Sequence, residues 1–159
     1  VPVFISYQTA DRYTAGQIRD SLGNWGISTY LDVMDPALKS DEDVTQVILR
    51  RLEECTHLMA VVSENTINSW WVPFEIGVAT KDQRRIASYR RDLVTLPDFL
   101  KIWPVLDYPR HLRDFARRYF EDNVHTARND REFLSESLFK TIRTADSFHR
   151  NLKSDLGQS

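Results

Sequence analysis

Short apolar runs alternate with stretches of helical periodicity at least three times along this chain, and that alternation restricts the fold more than any other feature. Val3-Phe4-Ile5-Ser6-Tyr7 is a nearly continuous apolar run, the pattern of a strand buried on both faces. Asp11 precedes a helical pattern carrying Ala15, Ile18, Leu22 and Trp25, with Gly23 and Gly26 as stop signals. Ile27 to Leu31 reads as a second strand and Leu58 to Val62 as a third. Between them lies a loop over 32–40 containing Pro36. Ser40 or Asp41 then caps a helix whose apolar face is Val44, Val47, Ile48, Leu52 and Cys55. A polar loop over 65–69 leads into a helix from about Trp70 to Gln83, with Pro73 in its first turn. This order predicts an α/β fold, a parallel sheet with helices on both faces. Ligands in such folds bind beyond the carboxyl ends of the strands, here Ser6 to Thr9, Asp32 to Asp35 and Ser63 to Asn65.

The second half is less regular. Ile86 to Tyr89 is a short strand, residues 93–100 form a loop around Pro97, and Ile102 to Leu106 is an edge strand, because Pro104 would interrupt a central ladder. Leu112, Phe115, Ala116, Tyr119 and Phe120 mark an amphipathic helix, and the polar stretch 122–130 reads as a loop. Phe133, Leu134, Leu138, Ile142 and Phe148 mark a last helix, after which residues 153–159 are expected to fray. Residues 1–121 are expected to form the main domain, with 122–159 a C-terminal loop and helix packing on or beside it.

Composition removes several classes. With 159 residues, 42% of them hydrophobic and 28% charged, the chain suits one soluble domain with a real core. No apolar run approaches the ~18 residues of a membrane span. No signal-peptide pattern opens the sequence, which begins at Val1 rather than at a methionine. The single Cys55 cannot form an internal disulfide; it reads as a core cysteine and points to a reducing, cytoplasmic compartment. Residues 1–80 carry 5 Lys/Arg and 11 Asp/Glu, and residues 81–159 carry 16 and 12, which reads as a solvated basic face rather than a nucleic-acid surface. The five glycines make neither a dinucleotide fingerprint nor a phosphate-cradling loop, and no nucleophile elbow occurs. His57, His111, His125 and His149 show no ligand spacing, so no metal is expected and each reads as a surface or strand-end residue. The first strand ends in Ser6-Tyr7-Gln8, without the acidic pair of a phosphoacceptor domain.

Ser69-Trp70-Trp71-Val72-Pro73-Phe74-Glu75-Ile76-Gly77 is the informative segment. Trp71 and Glu75 are four residues apart and so share a helix face near its start. A ring and a carboxylate there can grip a nucleoside, the ring on the base and the carboxylate on ribose hydroxyls. Spacing alone favours the plainer reading, with Trp71 in the core and Glu75 a surface acid near a helix N-terminus.

Taken together, Val3-Phe4-Ile5-Ser6-Tyr7 with Asp11, Tyr30-Leu31-Asp32, Leu58 to Ser63 and Trp71-x-x-x-Glu75 resemble the TIR (Toll/interleukin-1 receptor) domain, most closely the bacterial single-domain kind. The stretch Leu96-Pro97-Asp98-Phe99-Leu100-Lys101-x-Trp103-Pro104-Val105 is similar to bacterial TIR proteins as well. The resemblance covers about residues 1–121. It implies a five-stranded flavodoxin-like sheet and cleavage of NAD+ at the nicotinamide–ribose bond, with NAD+ as substrate and no cofactor. By the same resemblance Glu75 is the catalytic glutamate, and Trp71, Asp32 and the strand end Ser6, Tyr7 and Gln8 bind substrate. The loop after the second strand, the family's BB loop, maps onto Asp32 to Asp43. It lacks the glycine many members carry and offers Lys39-Ser40 instead, with Lys39 as a further binding candidate.

The resemblance also implies self-association through the BB loop and helices, low activity as a dilute monomer, and a product that is ADP-ribose or a cyclic isomer. Such a product would serve as a nucleotide signal to a separate effector in an anti-phage system of the Thoeris type, with neither nucleic acid nor membrane as partner. Two other readings stay open at this level: a non-catalytic TIR scaffold, and a flavodoxin-like nucleoside enzyme such as a deoxyribosyltransferase.

Overall fold

A computed structural model describes residues 2–33, 50, 53–67, 77, 83–129 and 137–159. Five strands form one parallel sheet: β1 (Val3–Tyr7), β2 (Thr29–Val33), β3 (His57–Val62), β4 (Arg85–Arg90) and β5 (Val105–Leu106), in the order β2-β1-β3-β4-β5. The described helices of four residues or more are α1 (Arg12–Asn24), α2 (Glu64–Ile67), α3 (His111–Asn129) and α4 (Ser137–Asp155). This is the doubly wound α/β architecture that the alternation of strands and helices predicts.

β1, β3 and β4 are buried along almost their whole length, as expected of strands covered on both faces. Side-chain alternation divides the core. On one face Val3, Ile5, Tyr7, Met59, Val61 and Ala87 pack against α1, α3 and α4 through Ile18, Leu22, Phe115, Phe148 and Leu152. On the other, Phe4, Leu58, Ala60, Val62 and Ile86 meet Cys55, Leu96, Leu100 and Val105. Cys55 is buried in that second cluster as a core cysteine.

Several boundaries differ from the sequence expectation, each for a physical reason. β2 starts at Thr29 rather than Ile27 because the helix stop consumes the Ile27 amide. Gly26 adopts φ +79, and the Ile27 N–H bonds back to the Leu22 carbonyl at 3.0 Å, closing α1 in a Schellman turn. The expected loop over 122–130 is instead a continuation of α3 to Asn129. Asp122 faces inward, 8% exposed, because it is the counter-ion of Arg85 (2.8 Å) and lies 3.3 Å from His57. A polar residue that faces inward is invisible to a hydrophobic pattern.

The tail does not fray. β5 pairs only with Ser88 and Tyr89, so the outer edge of the sheet is left open on either side of that contact. The Ile86 N–H is taken by His149 Nε2 of α4 at 2.8 Å. Beyond α4 the side-chain amide of Gln158 stands in for a sixth strand, accepting from the Val105 N–H at 3.0 Å and donating to its carbonyl at 2.6 Å. Arg118 holds the end of α4 with two bonds to Asp155, at 2.6 and 2.8 Å. The readings of a helix over 40–55 and of one from Trp70 to Gln83 fall mostly outside the described residues.

Two histidines sit at the amino ends of β3 and β4. His57 is the strand-end residue that opens β3 and is buried there, enclosed by Phe115, Tyr119 and Phe148. Burial holds its pKa below the ordinary histidine value despite the opposing pull of Asp122. His149 is pushed down to about 4, again chiefly by burial. Both rings are therefore neutral in the folded protein, whereas in the unfolded chain they protonate near pH 6.5. The unfolded state then binds more protons, so stability is full above about pH 6.5 and falls as pH drops below it. For His149 alone the loss by pH 4 is about 3 kcal/mol. Urea midpoints are expected to hold from pH 7.5 to about 6.5 and to fall from there to pH 4.5, and a flat profile throughout would contradict the assignment.

Candidate functional site at the strand carboxyl ends

In this strand order the chain leaves β1 towards β2 on one side and reaches β3 on the other, so the crevice beyond the β1 and β3 ends is the topological switch point. Ser6 is its centre in register, opposite Asp32 of β2 on one side and Ala60 of β3 on the other. Ser6 is buried at 1% exposure, Tyr7 contributes to the core against the helices, and Gln8 is half-buried at the start of the turn. The structure thus brings Ser6, Tyr7, Gln8 and the backbone of Asp32 to one end of the sheet. Lys39, Trp71 and Glu75 lie outside the described residues.

Asp11 organises this end. A 3-10 turn over Thr9–Asp11, closed by the Asp11 N–H on the Gln8 carbonyl at 2.8 Å, swings its side chain inward, and it makes no capping bond to α1. Its carboxylate is fully buried. Ser63, immediately after β3, donates its hydroxyl to Oδ2 at 2.6 Å while accepting the Asn65 N–H at 3.1 Å. Asn65 Nδ2 lies 3.4 Å from Oδ1, and Arg91, immediately after β4, donates Nη1 to the same oxygen at 3.0 Å. Thr66 completes the turn by bonding the Ser63 N–H and carbonyl at 2.7 and 2.9 Å.

One carboxylate therefore joins the loops that follow β1, β3 and β4. A buried charge satisfied by a cation and by further hydrogen bonds is tolerated, and losing any partner is costly. The sequence offered Asp11 only as a residue preceding a helix. The strand pattern placed Ser63 and Asn65 at this end of the sheet, but nothing local pairs them with Asp11, and Arg91, 80 positions away from Asp11, carries no local signal at all.

A separate cavity of about 400 Å³ lies at the β5 edge, lined by Arg90, Leu96, Lys101, Val105, Lys153 and Gln158 among others. It is formed by the tail and not by the switch point. Arg90 is engaged there in a two-point pair with Asp107, at 2.7 and 3.0 Å. Among the described residues no group of His, Cys, Asp and Glu is arranged to hold a metal ion, and no helix is long and apolar enough to cross a membrane.

The chain is similar to several known proteins. The chain is 25% identical over 89 residues to a protein of Bacillus cereus (strain MSX-D12) named as a probable 3' cyclic ADP-D-ribose synthase ThsB'. That alignment takes in 54% of this chain and 46% of the relative, so the chain spans less than half the length of the curated protein it matches. Among solved structures, a metazoan TIR-STING receptor from C. gigas superposes with a TM-score of 0.55 at 21% identity, over 72% of this chain and 38% of the other. The TIR domains of the activated Roq1 resistosome align over 96% of this chain and 83% of theirs, at 18% identity and a TM-score of 0.46. The family described as TIR domain matches residues 3–129, and the chain belongs to that family.

Proposed function

We propose that this protein cleaves NAD+ at the nicotinamide–ribose bond, releasing nicotinamide and leaving ADP-ribose or a cyclic isomer of it. The observation that carries this reading is the Trp71-x-x-x-Glu75 sequence within a chain of the TIR family. A relative named as a probable cyclic ADP-D-ribose synthase supports it and favours the cyclic product.

The chemistry requires little machinery. Nicotinamide leaves a cationic ring as a neutral pyridine, so no general acid is needed. The ribose carbon left behind is oxocarbenium-like, as in glycoside cleavage. Glu75 is the group for that charge: a free glutamate has a pKa of about 4.3 and is ionised at neutral pH. A fixed carboxylate facing developing positive charge stabilises the transition state more than the ground state. Ser6, Gln8, Asp32 and Lys39 are assigned to substrate binding, with Tyr7 backing them from the core. Water attack gives ADP-ribose and a proton, and attack by a hydroxyl or ring nitrogen of the same molecule gives a cyclic product.

Trp71 stacks the adenine in this scheme and folds the dinucleotide towards cyclisation. Trp71→Ala is expected to shift product from cyclic towards linear ADP-ribose, read by chromatography with mass detection; an unchanged ratio would remove the stacking role.

Assembly through the BB loop, Asp32 to Asp43, belongs to the same proposal, as does a role in anti-phage signalling of the Thoeris type through a separate effector in the cytoplasm. The deciding experiment incubates NAD+ with the protein over a wide concentration range and follows nicotinamide by mass. Release that rises faster than protein concentration supports an NAD+-consuming, self-associating enzyme. Intact NAD+ at the highest concentration sinks the proposal in favour of a TIR scaffold, and cleavage of nucleosides in place of NAD+ points to a deoxyribosyl-transfer enzyme.

A further inference from the structure

We propose that Arg91, held in place by the buried Asp11, is a binding residue for the diphosphate of a dinucleotide ligand. The proposal deepens the NAD+ reading, on which its choice of ligand rests. Arg91 follows the last residue of β4, and its side chain reaches across the end of β3 to the turn after β1. That position lies over the switch-point crevice, where the strand ends and their loops gather.

The guanidinium is only partly used by the protein. Nη1 is fixed on Asp11 at 3.0 Å, and Nε lies 3.3 Å from the Asp92 carboxylate, which is 78% exposed and therefore a weak, screened partner. The Arg91 side chain is itself 41% exposed, and among the described residues none takes Nη2. Asp11 would be satisfied as a buried anion by a shorter, fully enclosed cation. A planar fork anchored at one end and open at the other is instead the geometry that grips a phosphate by two parallel hydrogen bonds. The anchor matters because the loss of side-chain freedom is already borne by the fold when ligand arrives.

Two features agree. Arg12, the residue after Asp11, is exposed at the start of α1 and adds positive charge to the same end of the sheet. The three bonds that Ser63, Asn65 and Arg91 make to Asp11 keep the loops around the crevice from relaxing independently.

The test is titration calorimetry of the full chain with ADP-ribose and, separately, with adenosine, at low and high salt. Parent, Arg91→Gln and Arg91→Lys are compared, and NAD+ cleavage is followed in the same preparations. Arg91→Gln is expected to weaken ADP-ribose at least 10-fold, to leave adenosine within 2-fold, and to flatten the salt dependence of ADP-ribose binding. Arg91→Lys is expected to retain the salt dependence at reduced affinity. Equal ADP-ribose affinity in parent and Arg91→Gln overturns the proposal. So does a parallel loss of both ligands, which would mark Arg91 as a structural counter-ion, and so does a parent that binds no ADP-ribose. Absence of nicotinamide release alongside Arg91-dependent ADP-ribose binding would instead overturn the NAD+-cleavage reading and leave this one standing.

Discussion

Replacing Glu75 by Gln or Ala is expected to lower nicotinamide release from NAD+ on the order of 10³-fold with little change in folding stability. The magnitude follows from what the residue is asked to do. Removing a single preorganised group that faces developing charge costs about 10²–10³ in rate in well-studied enzymes. In the proposed mechanism one carboxylate would carry both the charge stabilisation and the ribose contacts, which places the expected loss at or above the upper end. Gln keeps the shape and the hydrogen-bonding capacity but not the charge. A large loss in Gln as well as Ala assigns the effect to electrostatics. Activity of Glu75→Gln within a few-fold of the parent would remove the charge role, and full activity of Glu75→Ala would remove Glu75 from the reaction.

The second large effect is on stability. Asp122→Ala is expected to destabilise the fold by about 3–5 kcal/mol. The carboxylate sits between Arg85, at 2.8 Å, and His57, at 3.3 Å, all three nearly inaccessible to water. Burial alone would raise the Asp122 pKa, yet the His57 contact and the Arg85 charge hold it below the usual carboxylate value. Its removal leaves a guanidinium in the interior without its counter-ion, far costlier than the loss of an exposed pair. Against a typical domain stability of about 5–15 kcal/mol, that is a substantial fraction of the total. Urea unfolding of the two proteins at pH 7.5 measures it. A loss under about 1 kcal/mol would show that the interior rearranges around the missing charge. Because this cluster lies at the amino ends of the strands, a variant that still folds is expected to keep its ligand affinities. Asp122 therefore separates stability from site effects in any comparison with Arg91.

Local pattern carried much of the fold. β1 and β3 were legible because strands buried on both faces must be continuously apolar; β5 was legible as an edge strand because Pro104 cannot sit inside a central ladder, but it spans only Val105–Leu106 of the expected Ile102 to Leu106. The order of these elements implied a parallel sheet, and hence the end of it where ligands bind. The segment Trp71-x-x-x-Glu75 was legible as a motif from the identity and spacing of two residues.

What sequence could not supply is partnership across long separations. Asp11 reads as the residue before a helix until Ser63, Asn65 and Arg91 converge on it. Asp122 reads as a loop residue until Arg85 and His57 meet it inside the fold. Gln158 reads as part of a fraying tail until the open edge of β5 claims its amide. In each case a polar side chain is buried or half-buried because a partner distant in the chain satisfies it. Hydrophobic periodicity reports only which residues avoid water. The sequence by itself determined the α/β class, the parallel strands and the candidate glutamate, since these follow from local apolar pattern and residue identity. Only the tertiary structure decided which polar groups are buried, how the loops at the strand ends are joined, and that the last helix and tail complete the sheet, because those depend on contacts no local pattern encodes.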